Sequence, residues 1–270
     1  MPGRALMVIA FVGILAAVCM APVAALADAE MAPAGMVVVP GGTYMPFQRE
    51  KTANSTESAP AAPRSVAAFR MDVEPVTNAQ FLAFVTVHPE WRKSEVKPIL
   101  AEDRYLKRWP ADLELPDAAA GQEPVTNVSW FAAQSYCKAR GLRSPTTEQW
   151  EYALADAGRG ANTVRERSLE WFAEPNGAHP PAIMNSVNGY GVGDLVGLVW
   201  EWTIDFDAYA TTAESRDPNG KKSGQFCGGA AAGVADATDY PAFMRYAMRA
   251  SLKAAYTADN LGFRCAGGAS

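Results

Sequence analysis

The spacing of apolar positions changes along the chain, and each spacing predicts a different element. Residues 35–47 (GMVVVPGGTYMPF) predict a strand, a Pro-Gly-Gly turn and a second strand. Residues 48–63 are polar, rich in proline and alanine and without an apolar period, which indicates a surface loop. Residues 65–76 alternate enough to predict a further strand. The pattern then switches to helical spacing.

The sequence EPVTN occurs twice, at residues 74–78 and 123–127, each time ahead of an amphipathic stretch. Proline favours an extended conformation for the preceding glutamate, so each copy predicts a strand that leads into a helix. In the first copy Thr77, with glutamine three residues later, forms a capping-box pattern; in the second copy Ser129 is the expected N-cap. Thr146 begins a third such pattern. The repeat therefore predicts scaffold and not a catalytic motif.

The second half of the chain predicts short strands joined by long loops. Residues 95–110 mix charges with aromatics, and residues 156–190 are rich in glycine, proline and asparagine, so few regular elements are expected there. Four apolar stretches follow, at residues 194–202, 226–233, 244–253 and 260–268. This organisation favours an α+β fold with much irregular structure.

The N-terminal segment predicts export. Residues 5–27 carry no charge, and they follow Arg4 and end in a small-x-small site, ALA. We expect a signal peptide over residues 1–27, a disordered lead over residues 28–34 and one domain over residues 35–268. The mature protein would be periplasmic or secreted, without a membrane attachment. The alternative is an uncleaved anchor, because the apolar run is long enough to cross a bilayer.

Composition excludes several classes of function. The 270 residues carry a net charge of −5 with no basic cluster, which gives no support for nucleic-acid binding. No nucleophile elbow or phosphate-binding loop is present. The two histidines, His88 and His179, lie next to prolines in different predicted loops and do not predict a metal site. Cleavage would leave Cys137, Cys227 and Cys265, which predict one disulfide and one free thiol without fixing the pairing.

Six motifs in a fixed order carry a family resemblance: VPGGTY, EPVTNAQF, the run from PVTNVSW to WEYA, NGYGVGDLVGLVWEW, CGGA and NLGFRCA. With these motifs the chain resembles the formylglycine-generating enzyme family, also called the sulfatase-modifying factor family. The resemblance covers about residues 35–268. It implies a single α+β domain of the C-type-lectin-like kind with little regular secondary structure.

The copper chemistry of this family is not expected in the chain. Oxidases of the family bind Cu(I) through two cysteines, five residues apart, that precede the final Gly-Phe-Arg; soft thiolates suit this ion. Residues 230–264 contain no cysteine, and the pair would fall near Tyr240 and Arg245. The family's active-site serine after Gly-Gly is replaced by Ala230. Copper is therefore not an expected cofactor.

The resemblance also implies a disulfide between Cys137 and Cys265 and a structural calcium ion. The calcium ligands would be two carboxylates and two backbone carbonyls, all hard oxygen donors. In the motif DLVGLVWE these ligands fall on Asp194, Gly197, Val199 and Glu201. The alternative for the two acidic residues is a loop cap and a buried ion pair.

Three functions remain open at this point. The first is a maturation or accessory factor that binds a protein or small-molecule client in a cleft lined by residues 227–250. The second is an oxidase with a non-standard site, for which Cys227, Trp200, Tyr246 and Arg249 are the candidates. Cys227 and Trp200 also have a plain alternative, as buried packing residues. The third is a non-enzymatic lectin-like binding module that uses calcium only for structure.

Overall fold

The computed structural model of the chain describes residues 35–47, 62–173, 186–207 and 239–269. All of these residues fall in one compact unit. Within them, no helix is both long enough and apolar enough to cross a membrane. The predicted signal peptide and lead, most of the predicted loop over residues 48–63, the predicted strand over residues 226–233, Cys227 and His179 lie outside the described residues.

The regular elements of the described residues are short. The strands are β1 (Met36–Val39), β2 (Gly42–Tyr44), β3 (Arg64–Val66), β4 (Phe69–Asp72), β5 (Trp200–Glu201), β6 (Leu261–Gly262) and β7 (Ala266–Gly268). The α-helices are α1 (Asn78–Val87), α2 (Trp130–Ala139), α3 (Thr147–Ala155), α4 (Ala161–Ala173) and α5 (Tyr240–Ser251). Single 3-10 turns lie at Pro89–Trp91, Ala119–Gln122 and Asp156–Gly158.

The strands form three small sheets. Strands β1, β4 and β7 make an antiparallel sheet in that order, β2 pairs antiparallel with β3, and β5 pairs parallel with β6. Strands β1 and β2 therefore belong to different sheets although only Pro40 and Gly41 separate them. A β-carbon at Gly41 would lie 2.9 Å from the backbone nitrogen of Ala68, so glycine is needed at this close approach.

The two copies of EPVTN pair with each other. The Val125 amide donates to the Val76 carbonyl and the Asn78 amide donates to the Glu123 carbonyl, each at 2.9 Å. Thr77 forms an antiparallel bridge with Pro124. The repeat is thus the point at which the entries to α1 and α2 are joined, which confirms its role as scaffold.

The predicted N-caps are confirmed. The Thr77 and Thr146 side chains accept hydrogen bonds from the amides of the glutamines three residues later, and both capping boxes are complete. The Ser129 side chain accepts from the Ala132 amide and caps α2. These bonds satisfy helix-terminal N–H groups that have no partner within the helix.

Two hydrophobic clusters form the core. One surrounds the buried ring of Phe81, which contacts the rings of Tyr136, Phe263 and Trp109. The other packs α3 against β1 and β4, and its members include Trp150. Within the first cluster, Cys137 on α2 and Cys265 form the disulfide that the family resemblance implies.

The predicted strand over residues 65–76 is two strands, β3 and β4, in different sheets, and two regions predicted to lack helices contain one. Helix α4 lies in the region expected to hold few regular elements, because its 13 residues lack glycine and proline while their flanks contain both. Helix α5 replaces a predicted short strand. Its buried face carries Ala242, Arg245, Tyr246 and Arg249 at helical spacing, and the two buried arginines obscure the apolar period in the sequence.

Candidate functional site

A small cavity lies where α4 and α5 meet the chain around β5. Its volume is about 10 Å³, which corresponds to a single water molecule. We call it the Trp200 cleft; its lining includes Trp150, Trp171, Phe172, Trp200, Arg245 and Arg249. The structure therefore brings together two of the oxidase candidates from sequence, Trp200 and Arg249, with two of the predicted calcium ligands, Val199 and Glu201, which also line the cavity.

Glu151 holds the two arginines of α5 in place beside this cleft. Its carboxylate accepts from Arg245 Nη2 at 2.9 Å and from Arg249 Nη1 at 2.6 Å, and Arg245 Nε lies 3.1 and 3.3 Å from its two oxygens. The side chains of all three residues are at most 10% exposed. Helix α3 thus supplies the carboxylate and α5 both guanidinium groups.

The charges of this cluster do not cancel. Burial by itself would raise the pKa of Glu151, but the attraction of Arg245 and Arg249 and their hydrogen bonds outweigh it and hold the pKa below its ordinary value. Conversely, burial would lower the pKa of Arg245, and the Glu151 carboxylate outweighs burial and raises it. One carboxylate therefore faces two guanidinium groups, which leaves one positive charge in excess.

A second buried ion pair adjoins the first. Arg264 donates to the Glu201 carboxylate through Nη2 at 2.7 Å and Nε at 2.8 Å, and both side chains are fully buried. Trp150 Nε1 donates to Glu201 Oε2 at 2.8 Å, while the Arg249 guanidinium lies 4.7 Å above the Trp150 ring. Trp150 therefore connects the two charged groups through a hydrogen bond and a cation–π contact.

The four predicted calcium ligands differ in how far protein groups already engage them: Asp194 Oδ1 accepts from the Ser186 amide at 3.4 Å and lies 3.9 Å from Arg167 Nη2. The Asp194 side chain is fully buried, its backbone lies in the left-handed region at φ 51, and the backbone of Gly197 does so at φ 89. The carbonyl oxygens of Gly197 and Val199 accept no hydrogen bond from the described residues. Both oxygens of Glu201 already accept hydrogen bonds. Glu201 would have to release one of these bonds to bind a metal.

Calcium binding at this loop stays a prediction, because carbonyl ligands show no metal-specific signature without the ion. Among the described residues there is no cluster of three or more His, Cys, Asp or Glu side chains that could hold a metal ion. The contacts of Glu201 match the alternative stated from sequence, a buried ion pair.

The remaining candidates have packing partners. Tyr246 is 2% exposed and its ring lies 5.1 Å from that of Phe47. Trp200 is half-buried against Trp171 and Phe172. His88 contacts the ring of Phe84 at 4.6 Å. The sequence patterns did not identify Glu151 and Arg264 as site residues, although Glu151 lies in the family motif WEYA and Arg264 in NLGFRCA.

The chain matches a known domain family over residues 23–269, the sulfatase-modifying factor enzyme 1-like domain. It belongs to this family. The membership confirms the resemblance seen in the six motifs and the α+β fold that it implies. The matched region begins before the predicted cleavage site after Ala27.

Relatives of two kinds are similar to this member of the sulfatase-modifying factor family. The formylglycine-generating enzyme of Bos taurus is 27% identical over 285 residues, covering 87% of this chain and 75% of the relative. The inactive C-alpha-formylglycine-generating enzyme 2 of Mus musculus is 29% identical over 281 residues, covering 87% and 86%. The crystal structure of CarF aligns over 87% of this chain and 98% of its own, with 17% identity and a TM-score of 0.47.

Proposed function

We propose that this family member is an exported maturation or accessory factor for a periplasmic client, and that it does not act as a copper–dithiolate oxidase. The client, a protein or a small molecule, would bind at the Trp200 cleft. The observation that carries the proposal is the residue found where the second copper-binding cysteine of the oxidases would fall. Near that position lies Arg245, which is buried and bound to Glu151.

Arg245 changes the chemistry that this position can support. A guanidinium group repels a cuprous ion and supplies no soft ligand. Its bidentate contact with Glu151 fixes the side chain, so it cannot turn away to leave room for a metal without separating a buried ion pair. A relative named as inactive is as similar to the chain as the named enzyme is, which is compatible with a non-oxidase role.

The alternative is an oxidase that uses a non-standard site, and the described contacts give it little support. Arg249 is bound to Glu151, and Tyr246 is buried against an aromatic neighbour. Neither arrangement presents a nucleophile or a redox-active ligand to the cleft. The remaining thiol candidate, Cys227, lies outside the described residues.

The test begins with the purified mature chain and a family oxidase as positive control. We expect no stoichiometric Cu(I) binding in competition with a chelator and no oxygen uptake with cysteine-containing peptides. Copper at one equivalent together with oxygen uptake would establish the oxidase alternative.

Client binding is tested by affinity capture from a periplasmic extract with matched variants. Met248→Arg places a charge in the cleft lining, whereas Val87→Arg places the same charge at a position that is 72% exposed on α1. We expect Met248→Arg to abolish capture of a specific client and Val87→Arg to retain it. The client isolated from a strain that lacks this gene should be less active. If Met248→Arg still captures the client, the client binds outside the Trp200 cleft.

A further inference from the structure

The C-terminal end of α4 covers the Trp200 cleft with two aromatic side chains. The Trp171 ring lies 4.6 Å from the Trp200 ring, and the Phe172 ring stacks on Trp200 at 5.5 Å with an interplanar angle of 13°. Phe172 also makes an edge contact with Tyr240 at 6.3 Å. Together these two side chains leave a cavity of only about 10 Å³. We call Trp171 and Phe172 the aromatic plug.

The rest of α4 makes few buried apolar contacts with the domain, and its polar contacts come from Arg167, which donates to Ser186 Oγ and lies 3.9 Å from Asp194 Oδ1. Ser168 is its buried residue, and Leu169 is 39% exposed. Val164 packs at the edge of the second core cluster, and the remaining positions are mostly charged or polar and exposed. Helices with few buried apolar contacts are drawn from the low-stability end of a fold. The aromatic plug is therefore a main anchor of α4.

We propose that the aromatic plug is displaceable, and that the client enters the Trp200 cleft with an aromatic side chain that replaces it. The inference rests on the proposed function, because it names the class of client group that the same cleft accepts. A client group cannot enter the cavity beside Trp200 while the plug is in place, since the remaining space holds one water molecule.

The surfaces under the plug define what can replace it. The Trp200 ring stacks on the face of Phe172. The Tyr240 ring, whose residue is 49% exposed, makes an edge contact with Phe172. The guanidinium groups of Arg245 and Arg249 line the same cavity and favour the electron-rich face of a ring. Stacked and edge-on contacts of this kind are specific to aromatic groups. An aliphatic side chain would fill the space without reproducing them.

Hydrogen exchange followed by mass spectrometry on the intact mature chain tests whether the plug moves. We expect the amides of α4 to exchange at least about tenfold faster than those of α1 and α2, since α4 opens locally. Addition of N-acetylphenylalaninamide should accelerate exchange in α4 further, whereas N-acetylalaninamide should not. Exchange in α4 as slow as in α1, or no response to the aromatic probe, would overturn the proposal.

A matched pair of variants separates plug displacement from a loss of folding. Trp171→Ala/Phe172→Ala should raise exchange in α4 at least about tenfold and leave α1 and α2 unchanged. Leu169→Ala removes an exposed apolar side chain from the same helix and should change nothing. Equal effects of the double variant on α1 and α2 would mean global destabilisation and would overturn a local plug.

The two proposals fail separately. If a client is captured through the cleft while α4 stays closed in hydrogen exchange, the plug is wrong and the accessory function stands. If α4 opens and responds to the aromatic probe but no client depends on Met248, the plug stands as a property of the fold and the accessory function is wrong.

Discussion

Single residues decide what this family member can do chemically. Arg245 lies near the position where the resemblance places a copper ligand of the oxidases, and Glu151 binds both it and Arg249 in a buried cluster. Neutralising the shared carboxylate would deprive two buried guanidinium groups of the negative charge that both of them bind. This cluster therefore affects both the chemistry of the site and the stability of the fold.

Glu151→Gln should lower the free energy of unfolding by about 3–5 kcal/mol, which is typical when one partner of a buried ion pair is removed. The matched control is Glu148→Gln on the same helix, whose pair with Arg64 is partly exposed and should contribute about 0–1 kcal/mol. Urea denaturation at pH 7 measures both. Equal losses in the two variants would show that the cluster does not stabilise the fold.

The contribution of Glu151 should also depend on pH. Its pKa in the folded protein lies below the ordinary value of 4.5, so the stabilisation is fully present above that value and is lost as the pH falls through the lower, folded-state pKa. The difference between the wild type and Glu151→Gln should be constant from pH 7 to about pH 5 and shrink below pH 4.5. A difference that stays constant at pH 3 would contradict this linkage.

At the scale of elements, the EPVTN repeat shows one sequence serving two helix starts in different ways. In the first copy its own threonine, Thr77, is the N-cap, whereas in the second copy the cap is Ser129, beyond the repeat. Thr77→Ala and Ser129→Ala should each cost about 1 kcal/mol, and Thr126→Ala in the second copy should cost less. Thermal unfolding of the three variants measures this order, and a larger effect at Thr126 would contradict it.

The loop from Asp194 to Glu201 is the element that the calcium prediction concerns. Elemental mass spectrometry should find about one calcium per chain, by analogy with the family's ligand pattern. At calcium concentrations about a hundredfold above Kd, a chelator should lower the Tm by roughly 5–10 °C.

Asp194→Asn should remove most of the chelator effect, whereas Asp207→Asn, at an exposed position, should retain it. Glu201→Gln is not a clean test, because it also breaks the pair with Arg264. If the chelator does not change the Tm of the wild type, the loop binds no structural calcium and Glu201 serves only as the ion-pair partner of Arg264.

At the scale of the whole molecule, the disulfide links residues 128 positions apart and joins α2 to the C-terminal strand region. Constraining so long a loop in the unfolded chain is worth on the order of 4–5 kcal/mol in the entropic model, as an upper guide. Reductant should therefore lower the urea midpoint strongly in the wild type and equally in Cys227→Ser, and have no effect in Cys137→Ala/Cys265→Ala. If the reductant effect disappears in Cys227→Ser, Cys227 takes part in the disulfide and the Cys137–Cys265 pairing is wrong.

Local signals were enough to predict the helix starts, because an N-cap and its hydrogen-bond partner lie within four residues. The pairing of the two EPVTN copies was not predictable, since it joins backbone groups 45 or more positions apart in sequence through a bridge that no residue type encodes. Helix α5 was missed for a different reason. Its buried face contains Arg245 and Arg249, and only a carboxylate from α3 makes those positions interior.

The sequence by itself determined the family, the α+β fold, the helix caps and the absence of cysteine from residues 230–264, because each depends on residue types in a fixed order. Tertiary structure alone decided which charges meet and what covers the cleft. Glu151, Glu201 and their arginine partners come together from distant segments. The plug of α4 lies on Trp200 only because the fold returns that helix to β5. Such contacts depend on distance in space, which the order of residues does not specify.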